Sequence, residues 1–401
     1  MYLYRLEGVN GMIVDWLWEF LRGLGRFFLN PVVYWFFICV LFASRQRIRK
    51  ERRFFGTKIF DIFYEVKRTT SVSLVGGLIL SLLSIGLGIV FNYYVLLLVS
   101  VITILLSLFL RFSFLSAAYT LGFSYLILLA IQYVYGLETN LYMLEALQNV
   151  ELTSFTIIIG FLLAVEAMLL LRTDQRESFP EIIKGSRGKW VGQHRLKKAA
   201  LIPFFALIPG GLIESFAPWW PIFSIDGDTY GIILIPFLVG FEHVAKGFSP
   251  VVTAKQLGNM VLILSFVVIG CAVASYYYSF MSLVAVMVAI VGREWISYRH
   301  RLRDQQKAPY FAPSSSGMLI LGIIPKTPAE NLGLLAGEKI VKVNGKLVMT
   351  EQEFYEALHT SNASCRLDVL DDRGEIRFVQ RAMYQGEHHE LGIVFAKERV
   401  D

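Results

Sequence analysis

Metal-assisted or base-catalysed chemistry would have to be built from six histidines: His194, His243, His300, His359, His388 and His389. A zinc hydrolase needs His-Glu-x-x-His on a helix, so that two imidazoles share one face and the Glu activates water. Only His389 is followed by Glu, and four residues after it stands Ile393, in a stretch that reads as loop and strand. Serine chemistry finds no Gly-x-Ser-x-Gly elbow, and no Gly-x-x-x-x-Gly-Lys-[Ser/Thr] loop offers itself to a phosphate. Cys39 and Cys271 sit in apolar runs, Cys365 lies near the C-terminus, and none forms a Cys-x-x-Cys pair, so neither a zinc site nor a disulfide framework is indicated. The chain reads as a binding protein and not an enzyme, with no cofactor and no metal. The remaining reactive groups are Glu166, Glu214 and the pair Glu242-His243, in or beside apolar runs. Ionisable groups there invite a functional reading. However, Glu166 is six residues from Arg172 and Glu214 falls near the end of its run, so snorkelling and local pairing account for both.

The elements that would hold these groups are membrane spans. Apolar residues make up 55% of the chain and charged ones 17%, against roughly a quarter charged in soluble domains, and the mean hydropathy is +0.55. The net charge of +6 comes from basic residues beside apolar runs, which is the positive-inside pattern and not a nucleic-acid footprint. Residues 12–26 interleave apolar and charged positions around Trp16 and Trp18 and read as an interfacial helix. Helical spans are expected at 27–43, 71–91, 93–110, 112–135, 152–171, 199–217, 230–241, 257–275 and 277–292, with 230–241 short for the roughly 20 residues a crossing needs. The first run lacks the basic leader and small-residue exit of a cleaved signal, so it reads as an uncleaved anchor.

The segment Arg45 to Arg53 carries six basic residues against one acidic, and 172–198 carries eight against three. Alternation places these loops, 45–70 and 172–198, in the cytoplasm. It places Glu138, Glu145, Glu151, Asp226 and Asp228 outside. The expected fold class is thus a polytopic α-helical membrane protein of eight or nine spans with a cytoplasmic C-terminal domain. Small residues recur four apart at Ser73, Gly77 and Ser81, and again at Ser84 and Gly88, a face suited to close packing inside the bundle or across a homo-oligomer. Pro203, Pro209, Gly210 and Gly211 would break the sixth span. The domain boundaries expected are 1–26, 27–307 and 308–401.

The C-terminal ninety residues have the composition of a soluble α+β domain. Strands are expected at 317–323, 338–343, 364–370, 375–382 and 391–396, with a short helix near 328–334. A longer helix over 350–360 opens with a Thr350/Glu353 capping box. The spacing of Pro325, Pro328, Ala329, Gly333, Gly337, Ile340, Val343, Asn344 and Gly345 resembles a bacterial PDZ domain, with Glu338 where that pattern has Asp. Such domains add a partner segment as an extra strand between a sheet edge and the long helix. The resemblance implies a peptide groove of Leu391, Gly392, Ile393 and Val394 on the strand with Phe354 and Leu358 on the helix. Any such helix must also fill the core with one face.

Taken with Phe28-Leu-Asn-Pro-Val-Val-Tyr-Trp-Phe-Phe37 and Arg47-Ile-Arg-Lys-Glu-Arg-Arg-Phe-Phe-Gly-Thr-Lys-Ile-Phe-Asp61, the layout resembles the MinJ family of Gram-positive rods. That resemblance implies a cell-division adaptor at poles and septum, linking a DivIVA-type polar scaffold to the MinD-type ATPase and meeting other division-machinery membrane proteins. The readings from other classes are a PDZ-regulated transporter and a non-catalytic partner of a membrane protease.

Overall fold

The computed structural model describes residues 2–134, 146–148, 150–185, 188–223, 229–313, 316–360, 364–371, 373–382 and 391–396. Glu138, Glu145, Asp226, Asp228 and the loop Gln385 to Glu390, with His388 and His389, lie outside them. The apolar half is built from helices α1 (Tyr2–Phe27), α2 (Pro31–Phe55), α3 (Tyr64–Leu87), α4 (Tyr93–Ser107), α5 (Ala117–Val134), α6 (Leu152–Leu171), α7 (Pro250–Ala274) and α8 (Phe280–Gln306). Among the described residues, α3, α6, α7 and α8 are long and apolar enough to cross a bilayer. Met12–Phe27 and Pro31–Phe55, bent by 42°, make a fifth crossing if taken together. The basic segment 45–53 is not a separate loop, because it continues α2 to Phe55.

Two expected helical spans are strands. Segment 199–217 falls largely within β2 (Trp190–Glu214), and 230–241 falls within β3 (Thr229–Ala245). They pair antiparallel from His194↔Ala245 to Pro209↔Tyr230, and β1 (Phe179–Lys184) lies along the start of β2. The reason is local chemistry. A helix through Pro203, Pro209 or Pro236 loses an amide donor and clashes one turn back. In the hairpin Pro203 stands opposite Pro236, so both missing donors fall on one rung, and Pro209 sits at a bulge. Hydropathy measures transfer into an apolar medium and is blind to this distinction.

A sheet in an apolar body must satisfy its edges, and helix side chains meet part of that demand. Ser81 Oγ on α3 accepts from the Phe205 amide at 2.8 Å. A Cβ on Gly77 would lie 2.0 Å from the Pro203 carbonyl oxygen, so only glycine allows α3 this close to β2. The small-residue face therefore packs inside the bundle, against a strand. Along the free edge of β3, Arg26 Nη1 donates to the Ile232 carbonyl at 2.8 Å, and the buried Glu19 Oε2 accepts from the Ile232 amide at 3.3 Å.

Glu166 does not pair with Arg172. Arg293 on α8 meets it with Nε and Nη2 at 2.9 Å, both residues are fully buried, and Ser116 Oγ donates to the second carboxylate oxygen at 2.5 Å. Arg293 also donates to Ser297 Oγ at 2.7 Å and to His243 Nε2 at 3.2 Å. Helices distant in sequence form this network, so sequence proximity misassigned the partner. Glu242 pairs with Arg195 and Lys197, and Glu214 is exposed.

The C-terminal domain has one sheet in the order β8-β7-β5-β4-β9, with β6 (Lys346–Leu347) on β5. Its strands are β4 (Met318–Ile323), β5 (Lys339–Val343), β7 (Ser364–Leu370), β8 (Ile376–Ala382) and β9 (Ile393–Phe395), with helices α9 (Pro328–Asn331) and α10 (Glu351–His359). Alternation divides β4 between two cores. Met318 and Ile320 face the domain's own interior, while Leu319 and Leu321 join Ile59, Phe60, Phe179, Ile182 and Phe311 in a second cluster.

Candidate peptide-binding groove

Three local devices set the groove's shape. Asn344, at φ +49°, donates to the Ala357 carbonyl and accepts from the Arg366 amide at 3.0 Å each, tying the Asn-Gly turn to the last turn of α10. Thr350 Oγ1 accepts from the Glu353 amide, and the Glu353 carboxylate accepts from the Met349 and Thr350 amides; these bonds hold its pKa below the usual carboxylate range. Glu338, in the Asp position of the motif, accepts from the Leu335 amide at 2.8 Å and pairs with Arg377. All three devices fix backbone around α10 and β5.

β9 pairs with β4 along one edge, from Ile320↔Phe395 to Ile323↔Ile393, and among the described residues no strand pairs with its other edge. Gly392 and Ala396 bond toward β4, through Ile324 N to Gly392 O and Ala396 N to Leu319 O. Backbone groups alternate sides along a strand, so those of Ile393 and Phe395 point to the open edge. A cavity of about 150 Å³ lies there, lined by Gly392, Ile393, Val394 and Phe395 of the strand segment, Glu351 and Tyr355 of α10, and Ile324.

The expected groove residues divide. Gly392, Ile393 and Val394 line the cavity, and Gly392 sits at φ +82° with Thr327 where a Cβ would stand. Leu391, Phe354 and Leu358 are fully buried in the domain core. The structure turns a different face of α10 to the cavity, one step along the helix from Phe354. Ile393 is 8% exposed and also belongs to the core cluster, and Val394 packs into the second cluster.

Sequence reasoning missed that two residues outside the domain, Phe55 and Thr57, line the same cavity. It also missed the seam beside them. His194 Nε2 donates to the Leu321 carbonyl at 2.7 Å, the Ser178 hydroxyl is 2.7 Å from Nδ1, and the ring stacks on Phe311 at 4.5 Å. Burial pushes the His194 pKa down to about 4, with the Leu321 carbonyl and Glu181 acting the other way. Gln175 donates to the Ala336 carbonyl, the Gly192 amide to the Phe311 carbonyl at 2.9 Å, and Arg176 pairs with Glu330 at 3.2 Å. The one available signal is the apolar set Phe54, Phe55, Ile59 and Phe60 in an otherwise basic stretch.

No group of three or more His, Cys, Asp or Glu suited to a metal is found among the described residues. A family model described as a PDZ domain matches residues 319–371. A PDZ domain seated on a body of apolar, bilayer-length helices defines the class. Across 388 residues, 96% of this chain and 97% of the relative, the sequence is 37% identical to the cell division topological determinant MinJ of Bacillus subtilis. Over 85 residues, 21% of this chain and 23% of the relative, it is 32% identical to the probable cell division topological determinant MinJ of Lacticaseibacillus paracasei. The chain belongs to the MinJ family.

Proposed function

We propose that this protein is a non-catalytic, membrane-embedded scaffold for division-site selection. It has its 308–401 domain in the cytoplasm and links a DivIVA-type polar scaffold to the MinD-type ATPase by protein contacts that include the PDZ groove. One observation supports this above others: a near full-length match to a division determinant in a chain with a strand edge that is unpaired among the described residues and lies beside a cavity. Backbone pairing along such an edge supplies affinity, and the pocket supplies selectivity. Glu166 pairs with Arg293 in a fully buried ion pair, which accounts for its charge without a transport role. The test is a functional fluorescent fusion in a dividing rod-shaped cell. Signal at septum and poles is expected, and a uniform membrane signal overturns the reading.

A further inference from the structure

The cavity beside β9 is closed on one side by Phe55 and Thr57, which belong to the end of α2 and the turn after it. This wall is held in place. The Gly56 amide bonds back to the Arg52 carbonyl and ends the helix. Glu51 Oε2 then accepts from the Ile59 amide at 2.8 Å and the Phe60 amide at 3.4 Å, pinning the returning chain. Ile59 and Phe60 are buried against Leu319, Leu321 and Val394, and the Arg47 guanidinium lies 4.4 Å from the Phe179 ring centroid beneath them. A loop tied by buried bonds keeps its position when a ligand arrives, so Phe55 presents a fixed surface to whatever enters.

We propose that the ligand site is composite: an extended segment of another protein adds to β9, and one ring-sized apolar side chain of that segment is clamped between the PDZ domain and Phe55. This rests on the groove reading above. Two observations define the occupant. The edge at Ile393 and Phe395, open among the described residues, asks for an extended backbone. The cavity of about 150 Å³ has room for one ring-sized side chain, with Ile393, Phe395, Tyr355 and Phe55 as its apolar walls and Thr57 and Glu351 on its polar side. The same PDZ fold without the α2 wall would leave that side chain half in water. Ligand affinity thus depends on the membrane half of the chain.

The test uses the full chain in lipid nanodiscs. A library of random heptapeptides is selected against it, and the most enriched peptide, fluorescently labelled, is titrated against variants. Phe55→Ala is expected to weaken binding about tenfold, the effect of losing one partly buried ring. Tyr355→Ala, on the PDZ side, is expected to weaken it similarly. With p-benzoylphenylalanine at position 55, ultraviolet light is expected to yield a peptide adduct, a readout that holds even where Phe55→Ala lowers the melting temperature. A Tyr355→Ala loss with no Phe55→Ala loss and no adduct overturns the composite site and leaves the PDZ groove standing. An adduct only to the chain itself shows the cavity filled in cis and overturns the proposal. If no peptide is enriched, or neither variant changes binding, the groove reading fails with it.

Discussion

The seam between the C-terminal domain and the helical body should loosen in acid, and His194 supplies the magnitude. Buried and neutral in the seam, its imidazole has a pKa near 4, against an ordinary 6.5 once the domain lifts and water reaches it. Between these values the lifted state binds more protons than the docked one. Docking free energy from this group is therefore intact above 6.5 and falls as the pH drops. The full effect is about 3 kcal/mol once both values are passed. At pH 5 the two titration curves give a loss of about 2 kcal/mol, or roughly thirtyfold in the opening equilibrium. A control that removes only the His194 titration is required. Hydrogen exchange of the β4 amides in the full chain at pH 7 and pH 5 reads the opening directly, after correction for intrinsic exchange rates. His194→Gln keeps a donor for the Leu321 carbonyl and cannot titrate, so its β4 protection should be nearly independent of pH over this range. Equal protection of the wild-type protein at both pH values, or an unchanged pH response in His194→Gln, would refute the assignment.

Two further outcomes concern the helical body. Arg293→Met strands the buried Glu166 charge and is expected to cost about 3–5 kcal/mol, whereas Glu166→Leu with Arg293→Met recovers most of the loss; denaturation in detergent decides, and a double variant as unstable as the single one removes the ion-pair explanation. Gly77→Ala drives a methyl into the Pro203 carbonyl and should destabilise by about 2 kcal/mol, while Gly86→Ala, with open space around it, should not; equal melting of the two variants would argue against a strand at 203.

The elements legible from residues 308–401 are those whose signals are short-range. The Thr350/Glu353 box starts α10 and the Asn344-Gly345 turn follows β5, because a cap or a turn is decided by atoms within about four residues. The membrane-class composition is equally a local property, since every apolar residue counts toward transfer wherever it packs. The lining of the cavity was half legible for a related reason. Alternation along β9 places Ile393 on one face, but which side of α10 meets that face depends on the helix's rotation against the sheet. That rotation put Phe354 and Leu358 in the core and Tyr355 at the cavity.

Tertiary structure alone decided the rest. Hydropathy assigns 199–217 and 230–241 to the apolar interior but not to helix or strand. The strand form is helped by α3 and α1, which bring Ser81, Arg26 and Glu19 to the hairpin's edges at Phe205 and Ile232. The partner of Glu166 is Arg293, 127 residues away, and no pattern in either helix announces the other. The wall that Phe55 gives the groove comes from the opposite end of the chain, because Glu51, Ile59 and Phe60 fold the turn after α2 onto β4 and β9. A sequence specifies which surfaces must be buried; which surfaces bury each other is settled by the geometry of the whole chain, through contacts whose cost and gain are realised only once it closes.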